Sequence, residues 1–165
     1  MGPSTHHRPT SFADLSVLGA GGTLYAVLDA CDDADVQAKV KELGPERAPC
    51  LYRGVTDTRT LAAAPYLVRL DAELMRWVHD TLWSRPWGIL LVAKSDLATV
   101  RHHLRKLLVV KGPDHQALYF RFYDPRVLRT YLPTLSKNDL DEVFGPLLGF
   151  GVPDPTTGGA QLTYR

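Results

Sequence analysis

Cys50 and His79 are the residue types that nucleophilic chemistry would require, since a thiol attacks only as a thiolate made by a nearby base or cation. Cys50 follows Pro49 and precedes the apolar Leu51, and its sequence neighbours supply no base. The other cysteine, Cys31, forms no Cys-x-x-Cys pair with it, so neither a zinc site nor a redox motif is indicated. Among the histidines, His102 and His103 are adjacent. On a helix they would point about 100° apart, a poor geometry for sharing a metal. No serine sits in a Gly-x-Ser-x-Gly elbow. Gly19, Gly21 and Gly22 precede a strand, whereas a phosphate cradle needs its glycines after a strand and at a helix start. These patterns call for no catalytic residue, metal or cofactor. The enzyme alternative is a pocket around Cys50 or His79 assembled by residues distant in sequence.

The densest motif is Tyr119-Phe120-Arg121-Phe122-Tyr123-Asp124-Pro125-Arg126. One reading has Arg121 and Asp124 lining a catalytic pocket. The structural reading is favoured. It takes Arg121 as a cation in a strand of aromatics, in need of a partner. Asp124 stands at a helix start, where the dipole and free N–H groups favour a carboxylate, and Pro125 suits the first helical position. An Arg121–Asp124 pair would then set the strand-to-helix angle.

The elements that must position these residues follow from periodicity. Leu24 to Leu28 is an apolar run suited to a central strand covered on both faces. Asp32 or Asp33 caps a helix from Ala34 to about Leu43, stopped by Gly44-Pro45. Pro49 to Tyr52 is a short strand candidate, and Tyr66 to Leu70 another. Asp71 precedes a helix with Leu74, Trp77, Val78, Thr81 and Leu82 on one face. Trp87 to Ala93 is the clearest strand. Ser95 or Asp96 caps a helix over Leu97–Leu108, whose second side is Arg101, His102, Arg105 and Lys106. Val109-Val110 pairs across Gly112-Pro113-Asp114 with the run from Leu118. Ser136 with Asp139 resembles a capping box for the last helix.

Alternating strands and helices predict an α/β fold: a mixed, partly parallel sheet with helices packed on it. The single domain is expected over residues 23–150. Residues 1–22 read as a flexible tail. Residues 151–165, rich in Gly, Pro and Thr, read as a second tail. A chain of 165 residues can bury roughly 70% of its open-chain surface, so it needs no staple. Its formal net charge of +1 gives no global field for nucleic acid or an anionic membrane. No apolar stretch reaches the ~18 residues of a span, and no signal-peptide pattern opens the chain, which predicts a cytoplasmic protein.

Four segments carry a family resemblance: Leu24-Tyr25-Ala26-Val27-Leu28-Asp29-Ala30, Pro65 to Leu70, Trp87 to Leu91, and Phe120-Arg121-Phe122-Tyr123-Asp124-Pro125-Arg126-Val127-Leu128. With His103-Leu104-Arg105 and Phe144-Gly145-Pro146, the chain resembles the adaptor/chaperone domain of bacterial type VI secretion systems over about Leu24 to Leu148. That resemblance implies a non-enzymatic protein. It implies binding of a secreted effector in the cytoplasm and help in loading it onto the tip spike (VgrG), with no nucleic acid or membrane as partner. It transfers no catalytic residue. Many similar proteins carry a further C-terminal lobe, and this chain ends soon after the core. Aromatics are frequent interface anchors, which nominates Trp83, Trp87, Tyr131 and Phe144. An acidic partner would instead meet Arg101, Arg105 and Lys106. A toxin-neutralising, immunity-type protein would use the same binding physics.

Overall fold

Short apolar runs and amphipathic stripes alternate along the chain and fold into three layers. The computed structural model describes residues 6–11, 14 and 21–164. The elements in chain order are β1 (His6–Thr10), β2 (Thr23–Asp29), α1 (Ala34–Arg47), α2 (Thr58–Ala62), β3 (Pro65–Arg69), α3 (Ala72–Leu82), β4 (Gly88–Ala93) and α4 (Leu97–Leu107). They continue with β5 (Val109–Lys111), β6 (Ala117–Tyr119), α5 (Pro125–Tyr131), a 3-10 turn (Leu132–Thr134), α6 (Lys137–Phe144), β7 (Leu147–Asp154) and β8 (Gly159–Tyr164).

Six strands form one sheet in the order β1-β8-β7-β4-β2-β3, and β5-β6 form a separate two-stranded ribbon. Every pairing among the described residues is antiparallel. The expected partly parallel sheet is therefore corrected. A strand covered on both faces is apolar on both faces whichever way its neighbours run. Continuous apolar runs in β2 and β4 reported double burial, and double burial does not fix direction. β3 and β4 do point the same way, but they lie on either side of β2 and never pair.

Alternate side chains of the sheet feed two cores. Leu24, Ala26, Leu28, Val68, Leu90 and Val92 pack under α1 and α3, with Val36, Leu74, Val78 and Leu82. Tyr25, Val27, Leu67, Ile89, Leu91 and Phe150 pack under α4, α5 and α6, with Val100, Leu104, Leu128 and Phe144. The helical run α1 breaks at Gly44 (φ +73°, ψ 170°), where the expected stop falls, and a short second helical stretch continues to Arg47. Gly88 has φ +146°, and a Cβ there would lie 1.9 Å from the carbonyl oxygen of Val27. Only glycine lets β4 begin this close to β2.

Both expected tails contribute strands. His6–Thr10 pairs with β8, and residues 1–5, 12–13 and 15–20 of the expected N-terminal tail lie outside the described residues. At the other end β8 inserts between β7 and β1, with Ala160 and Leu162 buried. Ala160, Leu162 and Tyr164 alternate with Gln161 and Thr163. The Gly- and Thr-rich composition outweighed that short period-two signal. Gly158, at φ +69°, makes the turn that returns the chain.

Truncation after Asp154 removes β8 and strips both β1 and β7 of a partner. We expect loss of cooperative thermal unfolding by circular dichroism. A truncated chain melting like the full one would show that β8 adds nothing to the sheet.

Candidate functional site

The strand β6 stops at Tyr119, so Arg121 lies beyond it in an irregular segment that leads into α5. Arg121 was expected inside a strand and paired with Asp124; both expectations are corrected. Its guanidinium donates to Asp29 Oδ2 at 2.5 Å. Asp29 ends β2, its side chain only 10% exposed. Its Oδ1 accepts from the Cys31 N–H at 3.1 Å, and its own N–H donates to the Trp87 carbonyl at 2.8 Å. Burial alone would lower the Arg121 pKa, but the hydrogen bond and charge of Asp29 more than offset this and raise it. Arg121 also lies over the Tyr123 ring at 5.7 Å. The Tyr123 and Tyr52 hydroxyls meet at 3.2 Å. Burial, then this contact, pushes the Tyr123 phenol far above its ordinary range.

Asp124 is engaged locally. Its Oδ1 accepts the Arg126 backbone N–H at 2.9 Å, capping α5 with Pro125 in the first turn. The Arg126 guanidinium takes both oxygens, at 3.0 and 2.7 Å. That hydrogen bond, opposed by burial, holds the Asp124 carboxyl below the usual range.

Arg101 and Arg105 form no solvated helix face. Arg101 donates twice to the Cys50 carbonyl, and Arg105 to the carbonyls of Cys50, Leu51 and Tyr52, all at 3.0–3.3 Å. They clamp the segment whose single bridge, Cys50 to Tyr66, covers the edge of β3. Burial raises the Cys50 thiol, which keeps it protonated at neutral pH and makes it a poor nucleophile. His79 Nδ1 lies 3.1 Å from Asp80 Oδ1. His103 is kept neutral by burial; since a carbonyl only accepts, its Nε2–H donates to Val143 O at 2.8 Å.

Of the four nominated anchors, three are core. Trp83 and Trp87 are buried against each other, and Trp83 Nε1–H donates to the Gly159 carbonyl. Phe144 is buried edge-on to Phe150. Only Tyr131 reaches the surface, packed edge-on to Phe120 at 4.6 Å.

The exposed apolar surface lies on the ribbon, which no sequence argument nominated. Val109 (49% exposed), Val110 (37%), Leu118 (42%) and Tyr119 (75%) are the large hydrophobics left open among the described residues. Two adjacent apolar residues in each short strand were the available signal. Beside the ribbon lies a cleft of about 690 Å³ between α4, α5 and α6, with Val110, Phe120 and Tyr131 in its wall. A second recess of about 610 Å³ shares Phe120 and Tyr131 and runs along Val127 on α5. Val109 and Val110 of the ribbon line the cleft, and cleft and recess meet at Phe120 and Tyr131. Lys106 and Lys111 border the cleft on one side, and Asp141 and Glu142 on the other.

Fold and surface together define a three-layer domain, an antiparallel sheet between helices, that presents an apolar ribbon to its surroundings. The chain belongs to the family described as a domain of unknown function, DUF4123, whose family model matches residues 24–142. That span runs from β2 into α6 and leaves β1, β7 and β8 outside. No curated protein and no solved structure matches the chain.

Arg121→Ala leaves the Asp29 carboxylate buried without its partner. The expected loss is about 1–3 kcal/mol, less than for a fully buried pair because the guanidinium is 47% exposed. Unchanged denaturant unfolding would remove this role from Arg121. Asp124→Asn keeps a good cap but removes the charge. The folded Asp124 pKa lies below the unfolded value of about 3.9, so its contribution is complete above that pH and is lost as pH falls through the folded value. The variant's melting temperature is therefore lower than the parent's at neutral pH, and the gap closes in acid.

Proposed function

We propose that this protein is an effector adaptor or chaperone of a type VI secretion system. It would hold a toxic effector in the cytoplasm and help load it onto the VgrG spike. The observation that carries this reading is the exposed apolar ribbon β5–β6 with its adjoining cleft. Two three-residue strands make a marginal ribbon on their own. Val109, Leu118 and Tyr119, 49%, 42% and 75% exposed, forfeit a corresponding part of the roughly 1.5–3 kcal/mol that full burial of a large apolar side chain supplies. Exposed apolar side chains gathered on one ribbon are the kind of surface that a partner covers. Family membership over residues 24–142 supports the reading, because the segments that carry the adaptor resemblance lie largely within that span. The action is stoichiometric: apolar surface on the effector covers the ribbon, and no bond is made or broken. Among the described residues no helix is long and apolar enough to cross a membrane, which agrees with a protein partner in the aqueous phase.

Co-expression with the protein encoded beside it, followed by size-exclusion chromatography, tests this. The effector co-elutes with the parent chain. Leu118→Asp with Tyr119→Asp abolishes co-elution while leaving the melting temperature unchanged. Absence of any complex with either the neighbouring effector or the spike overturns the reading. A complex that silences the toxin without supporting its secretion points to the immunity-type alternative.

A further inference from the structure

On the α4 side of the ribbon is a small notch of about 290 Å³. Tyr52, Tyr119 and Val109 form its walls, and Arg53, Arg105 and Lys106 its rim. The two tyrosine rings meet edge to face at 5.6 Å. Arg53 and Lys106 are exposed. Arg47, Arg85, Arg121 and Arg126 each hold a carboxylate. Arg53, Arg101, Arg105 and Lys106 hold none among the described residues. Burial first, and then the neighbouring charges of Arg101 and Arg53, lower the Arg105 pKa, as expected where positive charge gathers without a counter-ion. The chain carries a net charge of only +1, so this concentration is local.

We propose that the notch binds an acidic segment of the partner. A carboxylate of that segment pairs with Arg53 and Lys106, and a neighbouring apolar side chain enters the notch against Val109 and the Tyr52–Tyr119 ring pair. This rests on the adaptor reading and names the chemistry of its partner. Charge complementarity selects the occupant: every ionisable group on the rim is cationic, and the walls are aromatic and aliphatic. The backbone-bound edges of Arg101 and Arg105 are already spent on carbonyls, so they supply field while Arg53 and Lys106 supply contacts. A notch of this size admits one or two side chains, which favours a peptide over a nucleic-acid strand.

Fluorescence anisotropy with the full chain tests the proposal. The probes are labelled peptides of alternating glutamate and leucine, their lysine–leucine counterparts, and a single-stranded oligonucleotide of equal charge. The acidic peptide binds, and it is lost as salt rises from about 0.05 to 0.5 M. Arg53→Glu with Lys106→Glu weakens it about ten-fold or more, with thermal unfolding unchanged. No binding of the acidic peptide, equal binding of the lysine peptide, or indifference to charge reversal overturns the proposal. Tighter binding of the oligonucleotide overturns it in favour of nucleic acid. If the neighbouring effector still co-elutes when the notch fails, only the acidic-segment assignment falls; failure of both removes the adaptor reading as well.

Discussion

The pairing of Arg121 with Asp29 is the constraint on which the candidate surface depends. It joins the end of β2, the strand next to the edge strand β3, to the point where the chain leaves the ribbon, 92 residues later. The carboxylate is buried, and its other oxygen holds the backbone of Cys31. A buried carboxylate is costly unless it is paired and hydrogen-bonded, so removing the arginine strands it. The pair need not add net stability to fix geometry. It allows one position for the segment 120–124 against the sheet, and Asp124 then starts α5 from that position.

A second set of polar contacts braces the same place from another direction. Tyr123 meets Tyr52, and the carbonyls around Tyr52 are clamped by Arg101 and Arg105 from α4. β2, the 50–52 segment, α4 and the start of α5 therefore converge on one partly buried polar cluster. The ribbon β5–β6 springs directly from this base, with Phe120 N–H bonded to Leu108 O where the two strands join. A firm base beneath a marginal ribbon suits the binding role proposed for it. The core fixes where the ribbon projects, and the ribbon keeps its apolar side chains available. The same arginines that clamp the backbone also set a positive potential beside Tyr119.

Much of the local structure was legible because it rests on contacts a few residues apart. Asp33, Asp71, Asp96, Asp124 and Ser136 each accept a backbone N–H two or three residues on, as their positions before apolar stripes implied. Ser136 Oγ also donates to the Asp139 carboxylate, a side-chain contact in place of the backbone bond that completes a capping box. The stripes of α3 and α4 bury Leu74, Val78 and Leu82, and Val100 and Leu104. That Arg121 takes a partner was legible too, since a cation among aromatics needs one.

The sequence by itself thus determined α1 and α3 to α6 with their caps, the apolar strands β2, β3 and β4, and the need to neutralise Arg121, whereas α2, β1, β7 and β8 were not among the elements it implied. Tertiary structure alone decided the direction of the strands, the choice of Asp29 over the nearer Asp124, the recruitment of β8 into the sheet, and which aromatics are core. Trp83, Trp87 and Phe144 pack inside while Tyr119 stands out, although all are large apolar rings with similar local surroundings. The reason is physical. Caps and periodicity are satisfied within one or two turns of chain, whereas pairing direction, partner choice and exposure depend on what the rest of the chain brings alongside.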